Sequence, residues 1–191
     1  MNNYLSEPFL LITYTIIGFL KYMLTFRFLF ELMRVNFYNP ICQSIVMITK
    51  PILTPLKILQ FNLGRINITI FFLVIILIAM KANLQYILNG TSLPLLPLLI
   101  LSFGLFIQLL LNIFFYLVII NAIASWFFMF GNKHPLFSLI EGLCFPLYTP
   151  IRKIMPQTPG IDFSPIILLL LIQLTQMIVL KPIFEIYLLL I

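Results

Sequence analysis

Three charged side chains interrupt an apolar stretch near the N-terminus, and they are the residues best placed to do chemistry. Lys21, Arg27 and Glu31 fall within a run from about Phe9 to Leu32. A charge at the centre of a spanning helix costs roughly 2.5–3.5 kcal/mol on insertion scales, so each needs a partner or a role. Arg27 and Glu31 are four residues apart, a spacing that brings them together on one helix face, with Arg34 one turn beyond. Lys21 lies twelve residues past Phe9, about 18 Å along a helix, which is deep for its ammonium to reach water by snorkelling. The three charges point either to a structural role between helices or to a path for a solute.

A second charged set sits later in the chain. Arg152 and Lys153 either hold anionic headgroups or an acidic partner, or simply set orientation in a bilayer. Asp162 either pairs with one of them or serves as a carboxylate at the positive end of the next helix. Catalysis has little to work with. The chain has one histidine, His134, and two cysteines, Cys42 and Cys144, none at a ligand spacing. No nucleophile–base set, acid–base pair or metal cluster is recognisable, so the chain reads as non-enzymatic, with no metal and no cofactor. A single histidine cannot supply two axial imidazoles to a haem.

The elements that position these groups follow from composition. At 62% hydrophobic and 8% charged, with a mean hydropathy of +1.15, the 191 residues are far from a soluble domain, in which roughly 25% are charged. The bilayer is the solvent. The net charge of +6 is scattered at membrane boundaries, a pattern for anionic lipid and orientation and not for nucleic acid. The N-terminus lacks a basic n-region and a small-residue cleavage site, so the first apolar stretch is expected to remain as an anchor.

A spanning helix needs about 20 mostly apolar residues, and four stretches qualify: about 9–32, 66–88, 98–128 and 164–180. Asn89-Gly90-Thr91-Ser92, with Pro94 and Pro97, marks a turn between the second and third. The tail after Lys181-Pro182 is expected to lie at the interface. The connections 34–65 and 131–163 hold seven Lys and Arg against Lys81 and Lys181 on the other side. The positive-inside rule therefore puts both connections in the cytoplasm and both termini outside.

The two connections resemble each other. Pro40, Pro51, Thr54, Pro55 and Lys57 recur 95 residues later as Pro135, Pro146, Thr149, Pro150 and Arg152, and Asn67 and Thr69 recur as Asp162 and Ser164. The chain is read as a tandem duplication, 1–90 and 91–191, with parallel repeats. Residues 135–145 form an amphipathic pattern with Leu136, Leu139, Ile140 and Leu143 on one face. Ile41, Ile45, Ile48 and Ile52 make a similar stripe in the first copy. Pro51 and Pro146 are expected to end these short helices, and Pro146, Pro150, Pro156, Pro159 and Pro165 to stiffen the stretch that follows. Ser164-Pro165 reads as a hydroxyl N-cap followed by proline at N1. Gln108 with Asn112, Asn121, and Gln173 with Gln176 are polar groups placed for interhelical hydrogen bonds.

The motif Pro146-x-x-x-Pro150-Ile-Arg152-Lys153-Ile-Met-Pro156, followed by Gly160-Ile-Asp162-Phe-Ser164-Pro165, together with its first-copy counterpart, resembles the YggT family of small integral membrane proteins. The first copy departs from the family pattern at Ile58 and Phe61, where a second basic residue and a closing proline are usual. The resemblance implies a multi-pass protein of the bacterial inner membrane. It links bacterial relatives to osmotic-stress tolerance, others to division or nucleoid organisation, and a plastid branch to thylakoid biogenesis and haem attachment on a cytochrome b.

The resulting expectation is an all-α membrane protein of four spans in two parallel repeats, each with a cytoplasmic amphipathic helix and a proline-rich hairpin. It acts by binding anionic lipid headgroups, a membrane-protein partner or further copies of itself. The alternative is an oligomeric ion or solute channel with Lys21, Arg27 and Glu31 near its path.

Overall fold

Long runs of Leu, Ile and Phe without interior glycine pairs favour helix, and the described residues are all-α apart from one hairpin of two-residue strands. The computed structural model describes residues 6–56, 61–64, 66–88, 90–127, 134–154 and 162–191. The elements are α1 (Ser6–Met33), α2 (Pro40–Leu53), β1 (Asn62–Leu63), β2 (Ile66–Asn67), α3 (Ile68–Leu88), α4 (Leu95–Phe127), α5 (Pro135–Ile154), α6 (Ser164–Thr175) and α7 (Lys181–Leu189). Among the described residues, three helical stretches are long and apolar enough to cross a bilayer: Pro8–Met33, Leu95–Ser125 and Ser164–Leu189. Helix α3 has 21 residues, about 31 Å at the helical rise.

The long helices leave Phe19, Phe72, Ile76, Phe103 and Leu170 exposed on their outer faces. A soluble protein would hide such a surface, and a hydrocarbon solvent does not penalise it. Inside, α3 packs between α1 and α4, and α4 also packs on α5, α6 and α7. Phe28, Phe71 and Phe106 meet at the centre, with the Phe71 and Phe106 rings edge to face at 5.1 Å and those of Phe28 and Phe106 at 5.9 Å. Aromatic pairs prefer this geometry because the positive ring edge meets the negative face.

Helix ends use local hydrogen bonds. Arg34 takes φ 54° past the end of α1, and the Val35 N–H returns to the Phe30 carbonyl at 3.1 Å. Gly90, at φ 77°, does the same for α3, with the Thr91 N–H on the Tyr86 carbonyl at 3.1 Å.

Several sequence expectations need correction. Pro51, Pro146 and Pro150 do not end their helices but lie inside α2 and α5, so α5 runs 20 residues to Ile154. Each proline removes one backbone donor, and neighbouring threonines return to the chain. Thr54 donates to the Lys50 carbonyl at 2.7 Å, and Thr149 to that of Phe145 at 2.8 Å. The tail after Lys181 is not a separate interfacial segment. It continues α6 through one π-helical turn at Gln176–Leu180, widened where Pro182 cannot donate to Ile178, and α7 packs on α4. Gly104 permits that approach, since a Cβ there would meet Ile183 Cγ2 at 2.8 Å. Ser164 is the first residue of α6 and makes no hydroxyl cap. The Asp162 carboxylate caps instead, accepting from the Ser164 N–H at 2.9 Å. Asn67 does the same for α3, accepting from the Ile70 N–H at 3.2 Å. The first-copy connection forms an antiparallel hairpin, β1–β2, turning at Gly64, φ 63°.

Candidate functional site at the paired proline helices

Arg27 gathers the first half of the site. Its guanidinium lies 3.5 Å from Glu31 across one helical turn. It also donates to the Thr49 hydroxyl at 2.8 Å and the Val46 carbonyl at 3.2 Å, both on α2. The other oxygen of Glu31 accepts from the Asn67 amide at 2.9 Å. One ion pair therefore ties α1 to α2 and to the start of α3. The Arg27 Nε is buried without a hydrogen bond of its own, so the pair rests on charge more than on alignment.

A second junction joins the proline helices to each other. Asn39 caps α2, its side-chain oxygen accepting from the Ile41 N–H at 2.9 Å. Its amide donates across to the Pro135 carbonyl at 2.7 Å and to Ser138 at 3.2 Å. His134 caps α5 in the same manner, its Nδ1 accepting from the Leu136 N–H at 3.2 Å. Beside this junction Arg34, Asn36, Tyr38 and Phe145 line a cleft of about 520 Å³.

The third part closes α5 on α6. Arg152 meets Asp162 through two donors, Nη2 at 2.6 Å and Nε at 3.2 Å, in the open. Burial alone would raise the Asp162 carboxyl, but hydrogen bonds from Ser164 and the Arg152 guanidinium outweigh it and hold the group below the usual range. Arg152 also lies 5.0 Å over the Tyr148 ring. Tyr148, between the motif prolines Pro146 and Pro150, is buried at 2% exposure. Its hydroxyl has no hydrogen-bond partner within reach, although Asn121 faces it; burial pushes the phenol up and Asn121 only partly opposes that. Cys144, buried beside it, is pushed up to about 12 by burial, so its thiol stays protonated and inert. Cys42 is raised for the same reason, offset in part by the Arg27 charge.

The expected site residues thus separate into groups. Arg27 and Glu31 join one network, Arg152 and Asp162 another, and Pro40 and Pro135 flank the junction between α2 and α5. Pro51, Pro146 and Pro150 lie within the helices, Ser164 and Pro165 open α6, Pro55 is exposed just past α2, and Lys153 is exposed. Lys57, Pro156 and Gly160 lie outside the described residues. Lys21 joins neither network and lies on a different cavity, with Lys81. The buried face of α2 carries Cys42, Thr49 and Leu53, while Ile48 of the expected stripe is exposed. On α5, Leu139, Ile140 and Leu143 are buried as one face and Leu136 is exposed. Sequence reading missed Asn39 as the cross-link, although an Asn before a helix-opening proline is a capping signal. Of the polar groups within the long helices, the Gln176 amide donates to Asn112 at 2.9 Å.

The chain is similar to known proteins. A family model described as CCB3/YggT matches residues 100–183, which contain α5, Arg152 and Asp162. A protein of Pseudomonas aeruginosa, named only as uncharacterized, is 34% identical over 157 residues, 81% of this chain and 79% of its own. "Uncharacterized protein YggT" of Escherichia coli K12 is 32% identical over 168 residues, 85% of this chain and 84% of its own. A Haemophilus influenzae protein is 30% identical over 160 residues, 83% of each chain. No solved structure matches.

Two expectations follow from the ion pairs. Glu31→Leu leaves the Arg27 guanidinium largely buried and uncompensated, costing about 3 kcal/mol in detergent unfolding. The double variant Arg27→Met/Glu31→Leu should lose less than the sum of the singles; strict additivity would show that the pair is not formed. The Asp162 contribution is present above the ordinary carboxylate pKa of about 3.9 and is lost as pH falls through its lower folded value. The stability gap between the parent and Asp162→Asn should therefore hold steady down to about pH 5 and narrow below about pH 4.

Proposed function

We propose that this chain, which belongs to the CCB3/YggT family, is a non-catalytic membrane factor whose proline helices form a binding platform. On this reading the chain has four spans, made by α1, α3, α4 and the α6–α7 stretch, in two parallel repeats, 1–90 and 91–191. Helices α2 and α5 then lie together on the cytoplasmic side of the bacterial inner membrane, with both termini on the other side. The charge count supports that orientation, the more so because Lys81 lies within α3 and not in a loop.

The observation that carries the reading is the fastening of α2 to α5. Asn39 bridges them, Arg27 holds α2 to α1, and Arg152 holds the end of α5 to the start of α6. The titratable groups are spent on positioning two helices. What those helices turn outward is a mixed surface: Met47 and Lys50 from α2, Phe145, Lys153 and Ile154 from α5. Apolar anchors flanked by cations suit the boundary of an anionic bilayer or an acidic membrane-protein partner. On this reading such a factor serves envelope or osmotic-stress homeostasis, or membrane-linked division and assembly.

The channel alternative would need its path between chains of an oligomer. Within one chain the Phe28, Phe71 and Phe106 rings fill the space between α1, α3 and α4.

A photoreactive residue at Ile154, which is 85% exposed where Tyr148 is buried, tests the platform. Cross-linking in cells should capture a defined protein partner or an anionic lipid, and the yield should fall when Lys50 and Lys153 are both changed to Gln. No adduct, or a yield indifferent to those lysines, would refute the reading.

A further inference from the structure

At the end of the bundle away from α2 and α5, helices α1, α3, α4 and α7 surround a cavity of about 610 Å³. Its wall descends from Tyr86 and Tyr187, each near the end of its helix, to Lys21, Gln108 and Asn112 near mid-helix. The volume falls in the range of small-molecule and headgroup sites, roughly 300–1,000 Å³.

Two ammonium groups share this space. Lys81 Nζ lies 5.6 Å from the centre of the Tyr14 ring, and Lys21 Nζ lies 4.8 Å from that of Tyr22. Lys81 lies along α1, its Nζ 3.4 Å from where a Cβ at Gly18 would sit, an ordinary contact distance. Among the described residues no carboxylate lines the cavity, and neither lysine forms an ion pair. Neutral polar groups on the same wall include the Tyr86 and Tyr187 hydroxyls, 2.5 Å apart, and the amides of Gln108 and Asn112. Below them the floor is apolar: Ile78 and Leu109, then the edge-to-face rings of Phe28, Phe71 and Phe106.

Cations at membrane depth pair with an anion or line a water-filled path. Here the described residues supply no anion to these two, and the aromatic floor closes the way onward. The geometry points to an anion supplied from outside the chain: we propose that this cavity binds a phosphate group, held between Lys21 and Lys81. The tyrosine hydroxyls and amides donate to its oxygens, and Leu101 and Leu105 offer apolar wall to any attached chain. Two fixed cations within one cavity suit an oxyanion that shares its charge over several oxygens. The phosphate comes either from a lipid headgroup or from solution.

The site is separate from the proline-helix platform and is tested separately. Delipidated full-length protein in detergent is heated in the presence of phosphatidylglycerol, of diacylglycerol as the headgroup-free control, or of inorganic phosphate at constant ionic strength. Saturable stabilisation by phosphatidylglycerol alone assigns a lipid headgroup, and equal stabilisation by inorganic phosphate assigns a soluble anion; either supports the site. In Lys21→Gln and Lys81→Gln the apparent affinity should fall about tenfold or more. Lys81→Glu guards against a folding defect. It places a carboxylate opposite Lys21, so the ligand-free protein should melt no lower than the parent while its response disappears. No saturable stabilisation by either phosphate source, or an undiminished response in Lys81→Glu, overturns the proposal.

Discussion

A guanidinium carried on a long apolar helix has to find its counter-charge and its acceptors within the protein, because hydrocarbon offers neither. Arg27 meets that constraint by drawing in Glu31 from its own helix and Thr49 and Val46 from α2, while Glu31 draws in Asn67 ahead of α3. Three elements distant in sequence are fixed by a single desolvated charge pair. The position of α2 then sets that of α5, through Asn39 and the Pro135 carbonyl. The rest of that face follows from these contacts, and so does what it leaves exposed.

The two halves solve the same local problems with different residues. Asn39 and His134 cap the proline helices, Thr54 and Thr149 donate back to carbonyls four residues earlier, and Asn67 and Asp162 cap the helices that follow. These pairs are the positions 95 residues apart that the sequence pattern brings into register. The halves diverge in their charges. In the first, Arg27 and Glu31 are largely shielded within the protein, whereas the second has its ion pair in the open at Arg152 and Asp162. An exposed pair of that kind orders a connection more than it stabilises a fold.

Much of this was legible in the sequence. The long helices and the Arg27–Glu31 spacing follow from hydropathy and helical period, the turn near Gly90 from its glycine and prolines, and the Arg152–Asp162 pair was one of the two readings of Asp162. Other features were not legible, for identifiable reasons. Proline was read as a helix stop, yet Pro146 and Pro150 lie inside α5, because packing on α4 and α6 outweighs the lost donors. Tyr148 carries a polar hydroxyl, yet its ring is the larger group and goes to the core. Lys81 was counted only for its side of the membrane, although its helix carries it into a cavity opposite Lys21, a convergence that no one-dimensional pattern contains. The C-terminal tail looked like a surface segment until Gly104 allowed α7 to close on α4.

The central claim is that both proline helices lie on one side of the membrane and the turn between the halves on the other. Single cysteines at Tyr38, Ile154 and Thr91, all exposed, test it in intact and permeabilised cells, the native Cys42 and Cys144 being buried. A membrane-impermeant thiol reagent should label the Thr91 position in intact cells, and the Tyr38 and Ile154 positions only after permeabilisation. Opposite behaviour at Tyr38 and Ile154 would place α2 and α5 on different sides and contradict the account.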